Sequence, residues 1–324
     1  MEPIEIVLCT DHRYIMPAGV MMYSVCKNNK DGGVRFHVIV DESVTEEDRA
    51  DLRDVAGRSA VFFYEVDGQA FQSMPLVPHI SHATYYKLLI PQILSEDIHK
   101  VLYLDSDIIV RHSLLPLWET VIDGYALAAV MDVIDSDIRT YNRLKYPSHF
   151  GYFNAGMFLF NLKYWRDNDI YSEVLSYVKN HSDDILYCEQ DILNYVLRER
   201  KRPLPIKYNF QSGFLFSPTI SSYDFWKYEK EIQEARKDPV ILHYTLKKPW
   251  EEGCDHPYRS TFLQYQNETK WKGRIWVKPQ RPFLTKVYFH ADAAILRALI
   301  RMRLIKVPAE PQKPKMYLDL PPID

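Results

Sequence analysis

The chain has 324 residues, of which 47% are apolar and 14% aromatic, and its formal net charge is −3. That is ample for a large buried core in one or two domains. No stretch approaches the roughly twenty apolar residues of a membrane-spanning helix. The N-terminus carries acids and no basic region, and its apolar run is short, so no signal peptide is expected. The composition therefore predicts a folded protein without a spanning helix.

The cysteines indicate the compartment. Cys9, Cys26, Cys188 and Cys254 form no CxxC pair and lie mostly in apolar surroundings. We expect reduced, buried thiols and hence a cytoplasmic protein.

The small net charge hides an asymmetry. Residues 272–306 contain nine Lys and Arg residues and one acid, Asp292, whereas residues 1–271 contain 29 basic and 39 acidic side chains. A basic tail on an acidic body predicts an anionic surface as a partner. No nucleic-acid partner is expected.

The first 66 residues alternate between two patterns. Pro17 can open a helix that ends near Asn28, and Thr45 begins a second helix in the manner of a capping box, with acids in its first turn. Apolar runs rich in β-branched and aromatic residues predict three strands, at Ile4–Thr10, Val34–Val40 and Ala60–Val66. This alternation is typical of a parallel sheet with helices on both faces.

The pattern continues further along the chain. Helical spacing is present at His82–Leu94, from Ile170 to Val178 and at Glu189–Arg200. Strands are predicted at Val101–Leu104, Ala126–Met131, Tyr152–Leu162 and Val240–Tyr244. The strand at Tyr152–Leu162 is interpreted as kinked at Asn154–Gly156, or as a strand pair, and its glycine allows a ligand or another backbone to approach closely.

The stretch KVLYLDSDIIVR at 100–111 carries the clearest chemical signal. Asp105 and Asp107 directly follow the predicted central strand, at the end where parallel sheets place their chemistry. Alternate residues of extended chain face the same way, so the two carboxylates can converge on one point. Two hard oxygen ligands suit Mg2+ or Mn2+ carrying a phosphate. The alternative is a solvated turn, because acidic triplets are common.

The C-terminal stretch has a different composition. Trp271–Phe289 interleaves aromatic residues with basic residues and prolines, and Ala293–Lys306 predicts a basic amphipathic helix. This composition is typical of a helix at a membrane interface. A cationic helix packed on its own body, or at an oligomer interface, is the alternative.

Six segments together resemble the family 8 glycosyltransferases, which include bacterial lipopolysaccharide galactosyl- and glucosyltransferases and glycogenin. They follow the family's order over residues 4–250: CTDHRY at 9–14, HATYYKLLIP at 82–91, KVLYLDSD at 100–107, FNAGMFLFNL at 153–162, EQDILN at 189–194 and HYTLKKPW at 243–250. The resemblance implies the nucleotide-sugar-binding α/β fold known as GT-A, with a mixed, mostly parallel sheet and helices on both faces. It also implies a retaining, metal-dependent transferase that uses a UDP-sugar.

The resemblance assigns roles at the diphosphate. Asp105 and Asp107 correspond to the metal-binding DxD motif, and His243 corresponds to the third protein ligand of Mn2+ or Mg2+. Such an ion would stabilise the leaving diphosphate as a Lewis acid. Lys248 matches a lysine that reaches the diphosphate, and an exposed surface lysine is the alternative.

Further matching positions are expected around the nucleoside and the sugar. Those for uracil and ribose are Cys9, Thr10, Asp11 and Tyr14. Those near the donor sugar and its phosphates are Lys87, Asp105, Ser106, Asn154, Ala155, Gly156, Glu189 and Gln190. Lys87 stands where the family commonly has Arg, and Glu189 where it has Asp, so the donor sugar is left unassigned.

The catalytic candidates are Gln190 and Asp191. A covalent mechanism needs a nucleophile on the face opposite UDP, and the matching residue, Gln190, is a poor one. A front-face substitution, in which the leaving phosphate accepts the acceptor's proton, fits an amide better. Asp191 is the remaining carboxylate, with a structural charge at a helix N-terminus as its alternative.

We therefore expect a retaining hexosyltransferase that moves glucose or galactose from UDP to a glycan or glycolipid hydroxyl, as in lipopolysaccharide synthesis. Residues 1–271 would form the catalytic domain, and residues 272–324 a tail that binds a membrane or a partner. The enzyme would be cytoplasmic, with peripheral attachment to the cytosolic face as a further expectation. The alternatives are a glycogenin-like self-glucosylating protein, a non-catalytic UDP-sugar-binding module and, more weakly, a metal-dependent phosphatase. The oligomeric state is left open.

Overall fold

The computed structural model describes residues 3–30, 33–67, 82–215, 228–245 and 247–276. The predicted tail helix, Ala293–Lys306, lies outside these residues. Within them, no helix is long and apolar enough to cross a bilayer.

Ten strands form two sheets in the described part of the chain. They are β1 Ile4–Thr10, β2 Val34–Val40, β3 Ala60–Glu65, β4 Lys100–Leu104, β5 Ile108–Val110, β6 Leu127–Met131, β7 Phe153–Asn161, β8 Lys201–Pro203, β9 Phe210–Gln211 and β10 Ile241–His243. The larger sheet has the order β3-β2-β1-β4-β7-β6-β8, and the smaller has the order β5-β10-β9. In the larger sheet β7 runs antiparallel to both neighbours, and the other pairs are parallel.

Ten α-helices accompany the strands in the same residues. They are α1 Ile15–Asn28, α2 Glu46–Ala56, α3 Ile90–Ile93, α4 Leu115–Trp118, α5 Ile138–Leu144, α6 Leu162–Asp167, α7 Ile170–His181, α8 Cys188–Val196, α9 Glu229–Lys237 and α10 Arg259–Gln266. The capping box predicted for α2 is present: Thr45 and Asp48 bond each other's backbone amides.

The sheet buries both faces because its central strands carry mostly apolar side chains on each face. Along β1, Ile6 and Leu8 belong to one core, whereas Val7 and Cys9 belong to the other. The period-2 alternation of side chains produces this division. Helices α1 and α2 cover the first face, and α6, α7 and α8 cover the second. The prediction of a mixed, mostly parallel sheet with helices on both faces is confirmed.

Some predicted boundaries are wrong. The helix at Glu189–Arg200 ends at Val196, because the chain turns at 197–200 and enters β8. The segment His82–Leu89 is a 3-10 helix that leads into α3. Residues 153–161 form one strand rather than a pair, with a register shift in its pairing with β6.

The end of the described chain packs back onto its beginning. Trp271 lies against Gly19 of α1, where an added Cβ would be 2.1 Å from the indole. Five residues later, the Trp276 amide donates to Trp250 O at 2.8 Å, and its carbonyl accepts from Glu252 N at 2.9 Å. Chain 272–276 is therefore part of the folded body, beyond the boundary expected at residue 271.

Candidate active site

The elements converge on a pocket of about 590 Å³ at one edge of the larger sheet. Because β1, β4 and β6 are parallel, their carboxyl ends deliver Asp11, Asp105 and Asp132 to this edge. The antiparallel β7 brings its amino end there, and β10 brings His243 from the smaller sheet. Of the residues predicted for the site, those lining the pocket are Cys9, Thr10, Asp11, Tyr14, Asp105, Ser106, Asp107, Asn154, Ala155, Gly156, Glu189, Gln190, His243 and Lys248.

Asp105, Asp107 and His243 form a possible metal site. Their ligand atoms all lie within 4.8 Å of one another. Gly156 provides the room, because a Cβ there would be 2.2 Å from His243 Cε1 and 2.8 Å from Asp105 Oδ2. Two carboxylates and an imidazole form a donor set that fits Mn2+ or a similar divalent ion.

A chain of hydrogen bonds determines the tautomer of His243. The Gly156 amide, which can only donate, bonds Asn154 Oδ1 at 3.0 Å. Asn209 Nδ2 donates to the same oxygen at 2.9 Å, so Asn209 Oδ1 is left to accept from His243 Nδ1 at 2.9 Å. In the neutral imidazole the lone pair of His243 is therefore on Nε2, 3.2 Å from Asp107 Oδ1. Two acceptors at this distance are stabilised by a shared cation.

Asp107 also contacts Lys248. The ammonium Nζ lies 2.5 Å from Asp107 Oδ2 and 2.6 Å from Tyr244 O. Burial opposes the ionisation of Asp107, but the Lys248 ammonium and the His243 ring together outweigh it and hold the pKa of Asp107 below its ordinary value. Asp107 is therefore ionised at neutral pH, as a metal ligand must be.

Lys87 lies behind the pocket wall. Its ammonium, 1% exposed, donates to Asp105 Oδ1 at 3.2 Å and Ala155 O at 3.0 Å, and pairs with Glu189 Oε1 at 2.8 Å. Burial disfavours the charge, but Asp105 and Glu189 prevail and raise the pKa of Lys87 above its ordinary value. Lys87 does not line the described pocket, and its three donors are engaged by these acceptors; its contact with the donor stays a prediction.

Gln190 is held as a neutral wall residue. Its Oε1 accepts from Ala155 N at 2.9 Å, and its Nε2 lies 3.3 Å from Asp132 Oδ2 and 3.2 Å from Tyr152 Oη. Asp132 also accepts from Asn154 Nδ2 at 2.8 Å. The amide therefore links the walls formed by α8, β7 and the end of β6.

Asp191 makes the contacts expected of its structural alternative. It is fully buried, and Arg143 binds both its oxygens at 2.7 and 2.9 Å. The amides of Leu186 and Tyr187 each donate to Oδ2 at 2.7 Å, and Tyr152 Oη donates to Oδ1 at 2.8 Å. It does not line the described pocket. These bonds hold the turn before α8 and leave Asp191 no open face toward a substrate.

The opposite end of the pocket is framed by the turn after β1. Asp11 caps this turn by accepting from Tyr14 N at 3.1 Å. The Tyr14 ring meets Trp250 and Trp276 edge-on, with centroids 6.3 and 5.7 Å apart. The segment 250–276 therefore supports one wall of the pocket.

Sequence reasoning missed several residues that line the pocket or lie behind it. Asp132 had a signal, since it follows a predicted strand just as Asp105 does. Asn209 had none, because its role depends on the proximity of β9 and β10. Tyr187, 37% exposed on the pocket rim, directly precedes a predicted helix and resembled an ordinary surface residue.

Comparison with known proteins agrees with this geometry. Residues 5–254 match the family described as "Glycosyl transferase family 8". The chain is 29% identical to General stress protein A of Bacillus subtilis over 83% of this chain and 95% of that protein. It is 25% identical to lipopolysaccharide glucosyltransferase WaaO of Escherichia coli, over 85% and 81%. A crystal structure of galactosyltransferase LgtC with donor and acceptor sugar analogs matches with a TM-score of 0.74 and 28% identity, over 84% of this chain and all of that one.

The fold and the acidic pocket at its sheet edge are those of a GT-A glycosyltransferase. The chain belongs to glycosyltransferase family 8. The resemblance inferred from the six sequence segments is thereby confirmed.

Asn209→Ala should weaken Mn2+ binding by about 10- to 100-fold, because it removes the acceptor that orients His243. Mn2+ affinity would be measured by electron paramagnetic resonance without nucleotide. Asn161→Ala is the matched control, since the Asn161 side chain also bonds a backbone carbonyl in a partly buried position but caps α6. Equal affinities for the Asn209 variant and the wild type would contradict the assignment.

His256 supports the end of β10, where His243 lies, from a side different from that of Asn209. Its Nδ1 accepts from Tyr258 N at 3.1 Å, and its Nε2 donates to Ser212 Oγ at 3.0 Å. The Ser212 hydroxyl donates in turn to His243 O at 3.2 Å. Burial lowers the pKa of His256 from 6.5 to about 4, so this support consists of a neutral imidazole.

Between pH 4 and 6.5 the unfolded chain binds a proton at His256 that the folded protein does not. The free energy of unfolding should therefore rise with pH across this window, by about 3 kcal/mol from this group. His256→Gln should remove that part of the rise in the free energy of unfolding, measured by urea unfolding. His112→Gln, at an exposed histidine, is the control and should leave the rise in place. An unchanged slope in the His256 variant would show that the imidazole titrates normally in the fold.

Proposed function

We propose that this glycosyltransferase transfers a hexose from a UDP-sugar to a glycan hydroxyl with retention of configuration. The observation that carries the proposal is the cluster of Asp105, Asp107 and His243 in a pocket that Lys248 also lines. Carboxylates, an imidazole and an ammonium together suit a divalent ion and a diphosphate.

Asp105, Asp107 and His243 would hold the ion, Mn2+ or Mg2+, and when bound it would supply Lewis-acid stabilisation of the departing diphosphate. Lys248 would add a positive charge to the same phosphates. Cys9, Thr10, Asp11 and Tyr14 would hold the nucleoside at the far end. The wall of Asn154, Ala155, Gly156, Glu189 and Gln190 would surround the hexose.

The arrangement of Gln190 and Asp191 favours a front-face substitution. Gln190 is a neutral amide, and every oxygen of Asp191 is engaged away from the pocket. In this step the bond from the anomeric carbon to the phosphate oxygen breaks as the acceptor oxygen bonds the same face. The acceptor's proton passes to the leaving phosphate, so no protein nucleophile is needed.

The relatives indicate the acceptor class and leave the hexose open. WaaO is a lipopolysaccharide glucosyltransferase, whereas LgtC is a galactosyltransferase. We infer a lipopolysaccharide-like surface glycan as acceptor and glucose or galactose as donor sugar. Tyr187 on the rim offers an exposed aromatic face for an acceptor sugar.

Wild-type protein should release UDP slowly from one UDP-hexose in the presence of Mn2+, and EDTA should abolish the release. Asp107→Asn should lower the rate by about 100-fold or more, because it removes an anionic ligand. Asp123→Asn, at an exposed loop position, is the matched control. Full activity of the Asp107 variant would refute the metal assignment, and mass growth of the protein with UDP-glucose would instead favour self-glucosylation.

We place the boundary between the catalytic domain and the tail after Trp276, because that residue bonds Trp250 and packs on Tyr14. The tail would attach the enzyme to an anionic membrane surface. Its seven basic residues between 277 and 306 would each contribute about 1 kcal/mol near such a surface.

A chain that ends at Trp276 should lose co-sedimentation with anionic vesicles and keep the UDP affinity of the full chain. Neutral vesicles are the control for the full chain. A chain that ends at Lys270 also lacks Trp271 and Trp276 and should have a lower Tm, because both indoles pack on the body. Undiminished vesicle binding by the chain ending at Trp276 would locate the anchor elsewhere.

A further inference from the structure

Two lysines neutralise the acidic floor of the pocket, and their surroundings differ. Lys87 is buried beneath the wall, where its ammonium contacts three acceptors. Lys248 lines the pocket, its side chain is 18% exposed, and it binds Asp107 Oδ2 and Tyr244 O. A lysine side chain is a flexible four-carbon stem, so a partly exposed ammonium can change partners.

Asp107 serves two partners of like charge. One oxygen faces His243 Nε2 at 3.2 Å, where a metal ion would be shared, and the other binds the Lys248 ammonium at 2.5 Å. An ammonium and a divalent cation on the two oxygens of one carboxylate repel each other strongly in a partly buried site. The diphosphate of a bound nucleotide offers the ammonium another anionic partner within the same pocket.

We propose that Lys248 alternates between two partners: it neutralises Asp107 until the metal ion binds, and it then transfers to the nucleotide diphosphate. The inference rests on the proposed function and adds to it the order in which Lys248 changes partners. The ammonium weakens metal binding to the free protein, and the nucleotide relieves this by accepting the ammonium. Metal and nucleotide therefore bind with positive coupling, and each raises the affinity for the other by the same factor.

The opposing arrangement is a Lys248 that stays on Asp107 and orients it for the ion, as an outer partner of a ligand does. The two arrangements predict opposite effects of removing the ammonium. A fixed Lys248 is needed for metal binding, whereas an alternating Lys248 competes with it.

Lys248→Met tests the difference, since it keeps the length of the side chain and removes the charge. Mn2+ affinity is measured by electron paramagnetic resonance without nucleotide, and UDP affinity by calorimetry at saturating Mn2+. We expect Mn2+ to bind about tenfold more tightly and UDP about tenfold more weakly than in the wild type, within the usual range of coupling. Lys247→Met is the matched control, because Lys247 is exposed and pairs with Asp255, and it should change neither value.

Unchanged or weaker Mn2+ binding in Lys248→Met would overturn the proposal in favour of a fixed partner. Tighter Mn2+ binding with unchanged UDP affinity would also overturn it. That result would mean that Lys248 repels the metal ion but does not transfer to the diphosphate. Lys248→Gln, which keeps a donor for Tyr244 O, replaces the methionine variant if that variant fails to fold. If the wild type binds Mn2+ but no UDP, the proposed function is refuted. The Mn2+ affinities of the wild type and of Lys248→Met can still be compared in that case.

Discussion

The concentration of acidic groups at one edge of the larger sheet is the constraint on which the site depends. Asp105, Asp107 and Glu189 meet there because the sheet topology brings their elements together. Buried carboxylates at such density require cations. Lys87 supplies one from beneath and Lys248 another from the pocket side. In the proposed scheme Lys87 keeps its partners, whereas Lys248 leaves Asp107 when a divalent ion binds there and pairs with the diphosphate.

The reversal of β7 within an otherwise parallel sheet has a functional consequence. A strand running opposite to β4 and β6 starts at the edge where they end, so Asn154 and Gly156 enter the pocket from its first residues. Gly156 leaves space for His243 and Asp105, and Asn154 begins the relay that orients the imidazole through Asn209. One strand thus provides both the room for a metal site and part of its orientation.

The C-terminal part of the folded body contributes to the pocket through packing. Trp271 rests on α1 in contact with Gly19, and the chain then carries Trp276 to Tyr14 and Trp250. Tyr14 lines the proposed nucleoside end, and Trp250 follows Lys248 by two positions. The proposed tail would therefore leave the body beside the proposed nucleoside end of the pocket.

The sequence by itself determined the sheet, the family and the candidate metal ligands Asp105 and Asp107. Strands such as β1 and β2 were predictable to the residue, because buried parallel strands are continuous apolar runs. Asp105 and Asp107 were recognisable from their place at a strand end. Only the tertiary structure separated the donor wall from its supports, since Lys87 and Asp191 sit in the same sequence motifs as true lining residues. Burial and the direction of each side chain depend on contacts between distant segments, as do the partners of Asn209, and these are set when the two sheets pack together.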